Sequence, residues 1–258
     1  MRKAIRKHKK EIISAVVTGT IALGGGAYIS NKIEPSTVYA MASTTNRETD
    51  IVIRVGEYLG KPGKRIYCDN INWNRIPKDL PIRQDEDGRH YIAEFDINNK
   101  IATRLHAKLE EKGANVKIIR SSSKATDLNA AGRASNKFNP YVYFSVHTNY
   151  FDRADASGYF MMHNAGDKEA QIIAQRLSDS IKNNSMIKQA ETVAQNGYIG
   201  ELNVIHDSTT GVLFEGGFYS GTEGNGDLYH IVSDEYSDYI ADKLSDELIK
   251  IVNEKKYN

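Results

Sequence analysis

Glu94, His147 and Glu215 stand where chemistry is usually built. His147 ends the apolar run Tyr141-Val142-Tyr143-Phe144-Ser145-Val146 and is followed by Thr148 and Asn149, the pattern of a buried strand that delivers a polar cluster at its C-terminal end. Glu215 repeats the theme. It closes Thr210-Gly211-Val212-Leu213-Phe214, and Gly216 and Gly217 after it let the backbone turn and leave the carboxylate unobstructed. Glu94 falls in the first turn of an amphipathic helix. An imidazole and two carboxylates can move protons. Any metal site would draw on histidine and carboxylate side chains, because the single cysteine, Cys68, rules out multi-cysteine zinc motifs and internal disulfides. Each residue has a plainer alternative: a strand-end histidine hydrogen-bonds to backbone, and a first-turn glutamate offsets the helix dipole.

The elements that must position these residues alternate between strand and helix periodicity. Arg65-Ile66-Tyr67-Cys68-Asp69 reads as a first strand, followed by a polar loop from Asn70 to His90. Ile97, Ile101, Leu105 and Leu109 then mark one helix face, closed by Gly113. Asn115 to Arg120 predicts a second strand, Leu128 to Lys137 a polar helix, Ser157 to His163 a strand, and Lys168 to Ile181 a helix. The last helix runs from Asp234 to Val252, with Ile240, Leu244, Leu248 and Val252 on its apolar face. The fold class expected is α/β: a single domain with a mostly parallel sheet flanked by helices.

The N-terminus has a different character. Arg2, Lys3, Arg6, Lys7, Lys9 and Lys10 precede an uncharged run from Ile12 to Ile29, and Val38-Tyr39-Ala40 and Ala40-Met41-Ala42 offer small-residue cleavage patterns. Residues 1–42 are therefore expected to be a signal peptide or membrane anchor, which exports the rest to the cell exterior or the outer face of the membrane. If the segment stays uncleaved, it is the only membrane contact expected. Residues 43–64 read as a linker around a short amphipathic piece near Ile51 to Leu59, with the body spanning 65–258. Gly56 to Lys61 is no phosphate loop, since Pro62 stands where Ser or Thr is needed. Beyond residue 42 the chain holds 27 Lys/Arg against 31 Asp/Glu, so nucleic acid is not an expected partner. There is no dinucleotide fingerprint, no serine nucleophile elbow and no H-E-x-x-H.

The order and spacing of Ser145-Val146-His147-Thr148-Asn149 and Leu213-Phe214-Glu215-Gly216-Gly217-Phe218, with Glu94 and Asn98 upstream, resemble the zinc-dependent N-acetylmuramoyl-L-alanine amidases. Arg120, Arg133 with Asn136, and Ser157-Gly158-Tyr159-Phe160 agree as well, so the resemblance covers Arg65 to Val252. It implies hydrolysis of the amide between N-acetylmuramic acid and L-alanine in peptidoglycan, with one zinc ion as cofactor. His147 and Glu94 become zinc ligands by position, and Glu215 the catalytic base. The first ligand of that family is a histidine in an Asp-Pro-Gly-His-type turn after the first strand. On the strand reading above that turn is Cys68 to Trp73, which puts Asn72 at the ligand position. An amide oxygen is a poor substitute for imidazole. His90, Asp69 or Asn72 itself are the rescues available, His90 having the best spacing. The alternative reading is a degenerate amidase-like domain that binds cell wall or regulates a partner without hydrolysis. A metallopeptidase acting on a peptide substrate is the third.

Overall fold

A computed structural model describes residues 49–58, 65–67, 71–121, 129–150, 156–189, 193–195, 200–219 and 227–257. The expected signal or anchor segment 1–42, residues 43–48 and 59–64 of the expected linker, and Asp69 lie outside the described residues. In chain order the elements are β1 (Ile51–Tyr58), β2 (Arg65–Tyr67), β3 (Arg83–Gln84), β4 (His90–Ala93), α1 (Glu94–Glu111), β5 (Val116–Ser121), α2 (Ala130–Ser135), β6 (Val142–Asn149), β7 (Phe160–Asn164), α3 (Lys168–Ser180), β8 (Val193–Gln195), β9 (Thr210–Phe218), α4 (Leu228–Ile231) and α5 (Asp234–Tyr257).

The main sheet has six strands in the order β5-β1-β6-β9-β7-β8. β5, β1, β6 and β9 run parallel; β7 is antiparallel to β9 and carries β8 alongside it. The expected mostly parallel α/β domain is therefore what forms. Residues 51–58, expected within the linker, are instead a central strand paired on both edges. Ile51, Val52, Ile53 and Val55 are all buried, on both faces of the sheet. That makes the segment the continuous apolar run of an interior parallel strand, where one-sided amphipathicity had been read. Of the expected first strand, Arg65 to Asp69, the described residues Arg65–Tyr67 form β2, in a small antiparallel sheet ordered β2-β4-β3.

Two cores sandwich the main sheet. On one face Ile51, Ile53, Val55, Phe144, Val146, Val212 and Phe214 pack against α1, α3 and α5. On the other, Val52, Tyr143 and Leu213 meet Ala131, Leu202 and Ile205. The predicted stripe of α1 (Ile97, Ile101, Leu105, Leu109) is fully buried, each side chain contributing about 1.5–3 kcal/mol. Gly113 follows at φ +81°, the left-handed stop expected of it. Ala93, at the start of α1, makes no side-chain cap. A different contact secures this end: Arg83 of β3 donates from Nε and Nη2 to the two carboxylate oxygens of Asp96, each at 2.6 Å. This fork ties the small sheet to the helix whose first residue is Glu94.

Because β1 is central, a chain beginning at Arg65 should show no cooperative unfolding transition in urea, whereas one beginning at Ser43 should retain it; circular dichroism through a denaturant series distinguishes the two.

Candidate active site

β1, β6 and β9 are parallel neighbours, so their C-terminal ends share one edge, the usual site edge of an open α/β sheet. The register sets Val55 beside Val146 and His147 beside Glu215. One step beyond Val55 comes Gly56, where an added Cβ would stand 2.5 Å from the Val146 carbonyl oxygen and 2.6 Å from His147 Nδ1. Only hydrogen fits there, because the imidazole lies against the glycine. Glu57 follows with φ 59°, a left-handed conformation that costs a non-glycine residue about 1–3 kcal/mol and concentrates at functional sites. Glu57, Glu94 and His147 each offer one ligand atom, and these atoms lie within 4.8 Å of one another.

Glu94 is held from behind. The Tyr219 hydroxyl donates to its Oε2 at 3.0 Å, and the Asn98 amide reaches Oε1 at 3.5 Å. Asn98 is itself fixed by the Thr148 hydroxyl at 3.0 Å, so the Thr after the histidine and the Asn one helical turn after the glutamate belong to one network. Burial first, then the Glu94 carboxylate, keeps the Tyr219 hydroxyl protonated far above its ordinary range.

Glu215 is aimed by a bulge. Between His147 and Asn149 of β6 there is one residue, while between their partners Glu215 and Phe218 of β9 there are two. Gly216 and Gly217 absorb the extra residue, Gly217 at φ +129°. The Tyr236 hydroxyl donates to the Gly216 carbonyl at 2.6 Å, and Asp227 accepts from the backbone N–H groups of Phe218 and Gly158 and from the Ser157 hydroxyl. Glu215 Oε2 is buried and has no hydrogen-bond partner among the described residues. Burial, with the charges of Glu94, Glu201 and Glu57 adding to it against His147, pushes this carboxyl up to about 7.

Behind the imidazole lies a buried ion pair. His147 Nε2 is 3.6 Å from Glu201 Oε1 and in close contact with the Arg54 guanidinium. Arg54 Nε is 3.1 Å from Glu201 Oε2. Burial alone would raise the Glu201 carboxyl, yet Arg54 and then His147 pull it down to about 2. Burial and Arg54 oppose protonation of His147, but Glu201 and Glu215 outweigh them and its pKa is raised. The segment carrying Glu201 is fixed by α2. A Cβ on Gly132 would lie 2.2 Å from the Glu201 carbonyl oxygen, and Asn136 donates to the Val204 carbonyl and accepts from the His206 N–H.

The structure thus brings Glu94, His147 and Glu215 together, with Glu57 beside Glu94 and His147; the contacts of Asn72 are elsewhere. Asn72 caps a short 3-10 turn at Trp73–Arg75, accepting from the Asn74 N–H and donating its own N–H to the Tyr229 hydroxyl. Its expected place at the site follows from taking β2 as the first strand. His90 is exposed at the start of β4, opposite Gln84, and supplies no ligand to the cluster. His206 is also a surface residue, bonded to Ser208. Sequence reading missed Arg54, Glu57 and Glu201. Glu57 carried a usable signal, since an apolar run ending in an ionisable residue with glycine next to it is what marked Glu215, although there the glycines follow and here Gly56 precedes. Glu201, in a loop, carried none.

The family model described as N-acetylmuramoyl-L-alanine amidase matches residues 84–250, more than half of the chain. The chain belongs to this family. It is a hydrolase of the amide bond between N-acetylmuramic acid and L-alanine in peptidoglycan. The match begins downstream of β1, so Glu57 enters the site through the fold alone. Solved structures similar to the amidase include AmiC2 of Nostoc punctiforme (21% identity, TM-score 0.56, covering 80% of this chain and 98% of that one). An amidase from Clostridium difficile 630 is 17% identical, with TM-score 0.56 and coverage of 81% and 100%. The catalytic domain of CwlV from Bacillus (Paenibacillus) polymyxa var. colistinus is 12% identical, with TM-score 0.60 and coverage of 80% and 98%. Among curated proteins none matches the chain.

Two substitutions test this arrangement. Gly56→Ala should displace the His147 ring, lowering stability by about 1–3 kcal/mol and activity by more than stability explains, as measured by urea unfolding alongside turnover at saturating metal. Glu201→Ala leaves Arg54 buried without its partner and should cost about 3–5 kcal/mol in the same unfolding assay.

Proposed function

We propose that Glu57, Glu94 and His147 hold one divalent cation and that Glu215 is the catalytic base of the amidase. The observation that carries this reading is the convergence of two carboxylates and an imidazole beside a buried carboxylate oxygen with no hydrogen-bond partner. Three protein ligands drawn from His and Glu, with a position left for solvent, is the composition of a catalytic metal site. Zinc is the ion that the family resemblance implies. When bound, the cation polarises the scissile carbonyl and brings the pKa of a ligated water to about 7.

The remaining work falls to this chain's side chains. Glu215, its carboxyl raised to about 7 by burial and its Oε2 without a hydrogen-bond partner among the described residues, is matched to taking a proton from the attacking water and returning it to the departing L-alanine amine. Tyr219 and Asn98 hold Glu94 in one orientation. The Arg54–Glu201 pair backs the imidazole, the outer-shell support that fixes a ligating histidine. Tyr150, exposed and with its ring 5.8 Å from that of Tyr219, offers an apolar surface beside the site for a glycopeptide. The non-hydrolytic reading rested on an empty ligand position, and Glu57 removes that ground. Export by residues 1–42 is part of this proposal, supported by the basic head and apolar run and by a substrate that lies outside the cytoplasm. Among the described residues no helix is long and apolar enough to cross a membrane.

Residues 43–258, incubated with purified peptidoglycan and metal, should expose new L-alanine amino termini, and chelator should stop their release. Glu215→Gln should lower turnover by about 10²-fold or more while metal content by mass spectrometry stays at one ion per chain. Asn72→Ala should change neither.

A further inference from the structure

The amidase's cation site is dominated by oxygen. Its donors are the carboxylates of Glu57 and Glu94 and a single imidazole, His147, with Glu215 paired beside His147 on the neighbouring strand. No second imidazole approaches it among the described residues. His90 is exposed on β4, His106 faces Glu110, His163 bonds to the Asn164 carbonyl, His206 bonds to Ser208, and His230 lies on α4. Glu201 is engaged behind His147 with Arg54 and is not among the ligand atoms that converge.

Zinc is a borderline-soft ion whose advantage over harder dications comes from nitrogen and sulfur donors, whereas carboxylate, carbonyl and water suit manganese. A carboxylate in place of an imidazole removes part of that advantage. Its negative charge attracts every dication alike, so the site keeps affinity and loses discrimination. The donor stands at a close approach of two strands. Gly56 before it lies against the His147 ring, where a Cβ would stand 2.6 Å from Nδ1, and Glu57 itself is in a left-handed conformation, φ 59°.

We propose that Glu57 shifts the selectivity of this site from zinc towards a harder divalent cation of the manganese(II) class. The inference rests on Glu57, Glu94 and His147 being the ligands, and the experiment separates that premise from the selectivity itself.

The chelator-stripped protein is titrated with zinc alone and with manganese alone against a chromophoric chelator, and the ratio of the two affinities is compared with that of Glu57→His. Histidine tolerates the left-handed region better than most residues. The zinc-to-manganese ratio should rise about tenfold or more in Glu57→His, through tighter zinc and weaker manganese. Glu57→Cys, which brings a softer donor on a smaller side chain, is the second variant and should move the ratio the same way. A ratio that stays below this rise in both variants overturns the proposal. Glu94→Ala should abolish binding of both ions. Wild-type protein that binds neither ion, or binding that Glu94→Ala leaves intact, would overturn the ligand set itself and the selectivity with it.

Discussion

The His147 imidazole lies so close to the β1 backbone that position 56 can carry no side chain. That approach follows from parallel pairing of β1 with β6, and it sets the reach of everything around it. With Gly56 pinned beneath the ring, Glu57 leaves the strand in a left-handed turn next to the imidazole. The β6–β9 register then brings Glu215 alongside from the other neighbour. Three adjacent strand ends thus contribute one ionisable group each, and α1 adds Glu94. Sliding β1 by one residue would exchange its two faces, sending Arg54 into the apolar core and removing Gly56 from beneath the ring.

Charge is the second constraint. Glu57, Glu94, Glu201 and Glu215 are gathered around one histidine, and in the absence of compensation such a group raises its own pKa values. The site answers in two ways. Arg54 neutralises Glu201 and draws its carboxyl down to about 2, while burial pushes Glu215 up to about 7 against the pull of His147. Environments that drive two carboxyls apart in this manner are how a fold separates a structural anion from a proton carrier. Glu57 and Glu94 remain as the pair whose charge a dication would balance.

Much of this was legible in the sequence because burial writes a strong pattern. The α1 stripe, the strands ending in His147 and Glu215, and the two glycines at the bulge all followed from apolar periodicity and backbone freedom. β1 was misread for a physical reason. Arg54 interrupts its apolar run, and that side chain is buried against Glu201. The expectation at Asn72 rests on the same choice of first strand. Glu201 depends on a loop held by Gly132 and Asn136, contacts between segments about 70 residues apart that no local pattern announces. The antiparallel placement of β7 and β8 was likewise a matter of tertiary pairing.

The central claim is that β1 completes the site and that Glu57 is its first ligand. Crystals of the metal-loaded protein, examined by anomalous scattering at the absorption edge of the ion, test it most directly. The account predicts one peak at about 2.0–2.2 Å from a carboxylate oxygen of Glu57, one of Glu94 and a ring nitrogen of His147. A peak coordinated by Asn72 or His90, with Glu57 turned away, would contradict it.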